Sequence, residues 1–284
     1  MKIKDVNLSH YMSAVILNCT SHMLRHIKSK FCRRPKPQPL ISVIVTSYNY
    51  GRYLRETLDS LLNQTYRNFE IIVVDDGSTD NSSDIVSEYA QRHGCINLYT
   101  HPHGVNMGII ASMRLGISKA EGDYVAFCES DDYWAADHLG KVVEVIQKNF
   151  NVIIVANGVK LIGDEECIRS REWYIELIKA KLKKGKNRIN LHKHQERNYI
   201  PTLSAVAIKK NVLTSLDYET PVPAWIDFWL YRQILTEHPL YYVNEDLTFW
   251  RQQPKSYNGA SKEVTFEDSL RVFIPASNRL IGIK

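Results

Sequence analysis

No stretch of this 284-residue chain stays apolar for the roughly 20 residues that a bilayer-spanning helix requires. The longest apolar run near the start, Ala14 to Leu17, is shorter even than a signal-peptide core. Cysteine is sparse, and Cys19, Cys32, Cys95, Cys128 and Cys167 are widely scattered with no C-x-x-C pair. That spacing suggests neither a zinc site nor a disulfide framework and reads as reduced thiols in a cytoplasmic protein. G-x-G-x-x-G and the Walker pattern are both missing, which counts against a dinucleotide dehydrogenase and a P-loop NTPase. Internal repeats and low-complexity tracts are absent too. What remains is ordinary globular material, 44% hydrophobic and 24% charged, long enough for one large domain with ample core.

The formal net charge of +5 describes no part of the molecule. Residues 1–39 carry 8 Lys/Arg against one acid, and residues 40–166 carry 9 against 18. Residues 167–198 return to 10 against 3, and residues 199–284 balance at 9 against 9. An acidic body flanked by two basic stretches would oppose a polyanion. No nucleic-acid module with interleaved exposed aromatics is present, so nucleic acid is not expected as a partner.

Near the start, Leu8, Met12, Val15, Cys19, Met23, Ile27 and Phe31 recur at helical spacing, with Arg25, Lys28 and Lys30 toward the far end. Alternating prolines at 35, 37 and 39 then impose an extended linker. Two readings stay open for this segment. One is a basic amphipathic helix on an anionic membrane surface at the inner face of the plasma membrane; the other is a helix docked on the body or on a partner.

From Leu40 onward the pattern alternates. Strands are expected at 41–46, 69–74, 96–99, 124–128 and 152–155, and helices at 53–62, 84–93, 109–120 and 138–148. This order argues for an α/β fold with a mostly parallel, doubly wound sheet, whose ligands sit at the carboxyl ends of the strands. Polar clusters fall at those ends: Thr46 to Asn49, Asp75-Asp76, and Glu129 to Asp132. Past residue 165 the alternation stops. A basic helix is expected over 173–184, with Trp173, Leu177 and Leu182 on its apolar side, then a polar loop over 186–198. A strand at 203–208, a helix at 226–236 and short strands at 241–243 and 247–250 follow.

Glu129, Asp131 and Asp132 repel one another unless a cation sits among them. A hard divalent ion with oxygen ligands, Mn2+ or Mg2+, meets that demand and would bridge to a substrate phosphate. The plainer alternative is a solvated acidic turn, which placement directly after a buried strand makes less economical.

Several further motifs keep order and spacing: Ser42-Val-Ile-Val-Thr-Ser-Tyr-Asn49, Leu61-Leu-Asn-Gln-Thr-Tyr66, Val73-Val-Asp-Asp-Gly-Ser-Thr-Asp80, Asn106-x-Gly108, Gly122-Asp-Tyr124 and Glu129-Ser-Asp-Asp132. Together they resemble the nucleotide-sugar-binding half of a family 2 glycosyltransferase with the GT-A fold, closely over about residues 40–150 and more loosely to about 255. The resemblance implies an inverting, metal-dependent transferase that moves a sugar from a nucleoside diphosphate, UDP, to a hydroxyl of a glycan acceptor. The setting it implies is bacterial surface polysaccharide synthesis of the O-antigen or capsule type, with a lipid-linked acceptor among the options. It places Thr46 and Tyr48 at the base and ribose, Asp76 at the uracil ring, Asp131 at the ribose or sugar, and Asp132 on the metal. Arg114 and Arg251 are the cations within reach of the diphosphate. The family's usual Arg-Asn pair is absent around Met113-Arg114, and Gln253 stands where His is usual.

Inversion also needs a general base on the acceptor side, and Asp227 in Pro223-Ala-Trp-Ile-Asp-Phe-Trp-Leu230 resembles the family's acidic residue there. A carboxylate among Trp225, Phe228 and Trp229 would be partly desolvated and raised in pKa. A helix N-cap without chemistry is the alternative, and Asp217 and Glu219 are the other acids nearby. His101 and His103 read as loop-packing, and His192 and His194 have no implied carboxylate partner. The expected division is a basic extension and linker over 1–39, a nucleotide-sugar-binding half over 40–165, and an acceptor half carrying the base over 166–284 of the same domain. A catalytically degenerate GT-A scaffold that binds glycan, or acts as a membrane adaptor, is the competing reading.

Overall fold

A computed structural model describes residues 38–183, 188–189 and 198–254, with a few positions between 271 and 282. The N-terminal helix and linker expected before residue 38, and His192 and His194, lie outside the described residues. No helix among the described residues is long and apolar enough to cross a membrane.

The first half follows the alternation. β1 (Ile41–Ser47), β2 (Phe69–Asp75), β3 (Ile96–Thr100) and β4 (Tyr124–Phe127) pair in the order β3-β2-β1-β4, all parallel. α1 (Gly51–Leu62), α2 (Ser82–Arg92), α3 (Ile109–Lys119) and α4 (His138–Lys148) supply the cover. Side chains alternate across each strand, so Val43, Val45, Ile71 and Val73 enter one core with α1, α2 and α4. Ile44, Ile72 and Val74 enter a second core with α3. α1 closes its side through Leu54, Leu58 and Leu61 at helical spacing, each fully buried. Each such leucine contributes about 1.5–3 kcal/mol of transfer free energy.

The second half is mixed rather than uniformly parallel. β6 (Ile154–Gly163), α5 (Glu165–Lys183) and the short β7 (Arg188–Ile189) lead to β8 (Val206–Lys209), α6 (Lys210–Leu213), α7 (Ile226–Glu237) and β9 (Leu240–Gln252). β8 runs antiparallel between β4 and β6, while β6 and β9 are parallel. The two-residue β5 (Tyr133–Trp134) closes the far edge against β9, antiparallel.

Four expectations change here. The strand expected at 152–155 begins at Ile154 and continues to Gly163, and the two short strands expected at 241–243 and 247–250 are one strand of 13 residues. Their register shifts at Asn157/Gly158, where a Cβ on Gly158 would stand 2.6 Å from Asp246 Oδ1. That bulge lets a charged segment interrupt the apolar pattern without ending the strand. The loop expected at 186–198 contains β7, which pairs with β9. On α5 the buried stripe is Ile175, Ile178 and Leu182, and Trp173 is exposed. The helix is turned by the two isoleucines, whose spacing of three and four with Leu182 gives the better apolar seam.

Candidate active site

The carboxyl ends of β1, β2 and β4 open into a cavity of about 450 Å³. Its near wall carries Thr46, Tyr48 and Asp76; its floor carries Glu129, Ser130 and Asp131; its far wall carries Arg171, Thr202, Asp227, Trp250 and Arg251. Of the residues singled out from sequence, Thr46, Tyr48, Asp76, Asp131, Arg251 and Asp227 therefore share one cavity. Arg114 does not line it: it is exposed on α3, with its guanidinium carbon 5.8 Å from the Tyr218 ring centre. Asp132 does not line it either.

The near wall is built by a turn and a loop. Ser78 closes the turn after β2 by donating its hydroxyl to Asp75 Oδ1. Gly77 has φ +78°, and a Cβ there would meet Gly104 O at 2.6 Å, so this turn both needs the left-handed backbone and has no room for a side chain. Asp76, buried, accepts from Met107 N at 2.7 Å and Gly108 N at 2.9 Å. Its carboxylate thus anchors the 102–108 loop from the cavity wall, with further lone pairs left to accept from a ligand. His101 is buried within this loop against Ser112 Oγ at 2.9 Å, and His103 is exposed with φ +61°.

The floor separates two neighbouring aspartates. Asp131 lines the cavity and its Oδ2 accepts from Gln253 Nε2 at 2.7 Å. Gln253 also accepts from Arg52 at 2.7 Å, so the residue standing where the family usually has His serves as a clasp. Asp132 is buried behind it. Oδ1 accepts from Arg251 N at 2.8 Å, and Oδ2 has no hydrogen-bond partner among the described residues. Glu129 Oε2 accepts from Thr202 Oγ1 at 2.7 Å. Burial first, then the Asp131 charge, pushes the Glu129 carboxyl up to about 7. Burial also raises Asp131 and, more strongly, Asp132, to which the neighbouring carboxylates add.

Among the described residues no three His, Cys, Asp or Glu side chains form a ready-made metal cage. The donor chemistry nevertheless fits a hard cation: Glu129 and Asp131 face the cavity with carboxylate oxygens whose mutual repulsion a positive charge would relieve.

Arg251 is held from several sides. Nε donates to the Asp131 carbonyl at 2.8 Å, the guanidinium pairs with Glu56, and its carbon lies 4.5 Å from the Tyr53 ring centre.

On the far wall, the helix N-cap of α7 is Trp225, with no side-chain cap bond, so Asp227 lies inside the first turn. Its Oδ1 accepts from Phe228 N at 2.7 Å and its Oδ2 from Asn198 Nδ2 at 3.4 Å. Burial raises this carboxyl to about 6. Asp217 and Glu219 stand outside the cavity in a turn of their own, Asp217 Oδ1 accepting from Glu219 N at 2.8 Å. Trp225 packs on the core instead of lining the cavity, and Trp229 is buried with its indole donating to Asp217 O at 3.0 Å. Glu129's role in the floor was visible only as part of an acidic run. Arg171 and Thr202 carried no distinguishing signal, because one is a cation within a basic helix and the other a lone threonine.

A cavity at the strand ends of an α/β sheet, with carboxylates on floor and walls, is where proteins of this class bind their ligands. Residues 42–213 match the model of Glycosyl transferase family 2, more than half of the chain, and the protein belongs to that family. It is 40% identical over 119 residues to an uncharacterized glycosyltransferase of Haemophilus influenzae, covering 42% of this chain and 47% of that protein. The chain spans less than half the length of the curated relatives first matched. Among solved structures, residues 1–349 of TarS from S. aureus, in complex with UDP-GlcNAc, superpose with a TM-score of 0.63 at 21% identity, covering 85% of this chain and 65% of that one. Glucosyl-3-phosphoglycerate synthase from Mycobacterium tuberculosis, in complex with Mn2+, UDP and glucosyl-3-phosphoglycerate, gives 0.58 at 19%, covering 88% and 82%. At these identities the likeness is one of fold, and the fold is GT-A.

Proposed function

We propose that the protein is a metal-dependent, inverting glycosyltransferase that moves a sugar from a nucleoside diphosphate, UDP, to a hydroxyl of a glycan acceptor in bacterial surface polysaccharide synthesis. The observation that carries this reading is the single cavity shared by Thr46, Tyr48 and Asp76 on one wall, Glu129 and Asp131 on the floor, and Asp227 opposite. Thr46 and Tyr48 frame the nucleoside and Asp76 accepts from the base. Glu129 and Asp131 hold Mn2+ or Mg2+, with Asp132 supporting them from behind through Arg251 N. The metal, when bound, neutralises charge on the departing diphosphate.

Asp227 takes the proton of the attacking hydroxyl. Its raised pKa suits a base that must be ionised near neutrality, a contribution of about 10²–10⁴-fold. Residues 40–165 thus form the donor half and 166–284 the acceptor half. The basic segment 1–39 brings this cytoplasmic body to a lipid-linked acceptor at the inner face of the plasma membrane.

Calorimetric titration with UDP, with and without Mn2+, tests the donor half. Metal-dependent binding that is lost in Asp131→Ala supports it, and binding that ignores the metal refutes it. Flotation with anionic liposomes tests the extension, because removing residues 1–38 should abolish it.

A further inference from the structure

One charge in the cavity is unused by the donor chemistry. Arg171, on α5, is half-buried and lines the cavity, its guanidinium carbon 5.1 Å from the Trp250 ring centre. Three other cations of the body are paired with acids: Arg251 with Glu56, Lys179 with Asp246, and Arg55 with Glu88. Among the described residues no carboxylate pairs with Arg171. Burial pulls its pKa below the ordinary arginine value, as expected of a cation that has lost water without gaining an anion.

Its position assigns it to the wall of the base. One turn along α5, Tyr174 donates its hydroxyl to Asn198 O at 2.5 Å, and Asn198 Nδ2 reaches Asp227 Oδ2 at 3.4 Å. Tyr174 and Asn198 thus connect α5 to Asp227, and Arg171 and Asp227 line the same cavity. The nucleoside wall at Asp76 belongs to a different set of elements. A guanidinium lying over an indole, with no carboxylate partner among the described residues, is suited to a planar or tetrahedral oxyanion.

We infer that Arg171 and Trp250 form an acceptor subsite for an anionic group, a carboxylate or phosphate carried near the accepting hydroxyl, so that the acceptor is an acidic or phosphate-bearing glycan. This deepens the transferase reading and rests on it.

The test uses the full chain saturated with UDP and Mn2+ in low-chloride buffer, titrated with methyl phosphate and, separately, with glucuronate, following the melting temperature and heat of binding. At least one probe should bind the wild type, and Arg171→Gln should lose about tenfold or more of that affinity. Arg171→Lys should keep part of it, while UDP affinity stays within about twofold in both variants. Which probe binds distinguishes a phosphate from a carboxylate acceptor. Equal probe affinity in wild type and Arg171→Gln overturns the subsite, as does the failure of both probes to bind the wild type. A tenfold loss of UDP affinity in Arg171→Gln also overturns it, by moving the guanidinium to the diphosphate. Should the wild type bind no UDP in the presence of Mn2+, the transferase reading itself falls, with a result distinct from all of these.

Discussion

The near wall of the cavity comes from parallel strands with local turns, whereas the far wall is collected from segments that approach only across the sheet. Asp76 is fastened to Met107 at a separation of 31 residues, across α2 and β3. Glu129 is fastened to Thr202 across 73 residues, and Asp132 to Arg251 across 119. Closing long loops costs conformational entropy that only the finished sheet offsets. The near wall can therefore be ordered by its own motif, while the far wall exists only once β8, β6 and β9 have docked beside β4. The difference also separates the two wall acids: Asp76 is fastened by two backbone N–H donors, whereas burial raises the Asp227 carboxyl.

The sharpest break of this contrast is at Asp227. Asp227→Asn keeps the shape and removes the base, so kcat should fall about 10²–10⁴-fold while UDP binding persists, measured as UDP release and by calorimetry. In the wild type, kcat/KM should fall as pH drops through about 6, where the carboxyl becomes protonated, and this limb should vanish from the residual activity of the variant. The same shift has a stability sign. Because the folded pKa lies above the unfolded one, the stabilisation is fully present below the unfolded value and is lost as pH rises through about 6. Asp227→Asn should remove that slope in urea-unfolding measurements across the window.

On the near wall, Gly77→Ala tests the turn. The left-handed backbone alone costs about 1–2 kcal/mol, and the 2.6 Å approach to Gly104 O forces the 102–108 loop to move. A melting point lowered by roughly 2–8 °C, with weaker UDP binding, is the expected result. An unchanged melting point would show that the loop does not rest on the turn.

Between the walls, Asp131 and Asp132 should separate cleanly. Asp131→Ala is expected to lose metal-dependent UDP binding without loss of stability. Asp132→Ala leaves the Arg251 N–H without its acceptor and should cost about 1–3 kcal/mol in urea unfolding. Equal effects of the two on both readouts would collapse the distinction. The smallest effect belongs to Lys181→Ala on the exposed side of α5, within about 0.5 kcal/mol of wild type in the same unfolding measurement.

Legibility follows the same division. β1 to β4 and α1 to α4 are marked by local apolar periodicity and by turns, which need no knowledge of partners. β9 is less legible because its charged middle, Asn244 to Asp246, interrupts the pattern, and only the bulge opposite Gly158 lets it continue. α5 is misleading in its facing: Trp173 outweighs Ile175 and Ile178 by size in the sequence, yet the sheet accepts the isoleucine stripe. Arg171 carries no local mark at all, since its place in the cavity wall depends on how α5 docks on the sheet.

The sequence by itself determined the α/β order, the strand-end carboxylates and the membership in Glycosyl transferase family 2, because these rest on neighbours within a few residues of one another. Only the tertiary structure decided which of two adjacent aspartates faces the cavity, that Arg114 stands apart from it, and that Arg171 enters it. Those outcomes depend on burial and on pairing across the sheet, and both are properties of where distant segments meet.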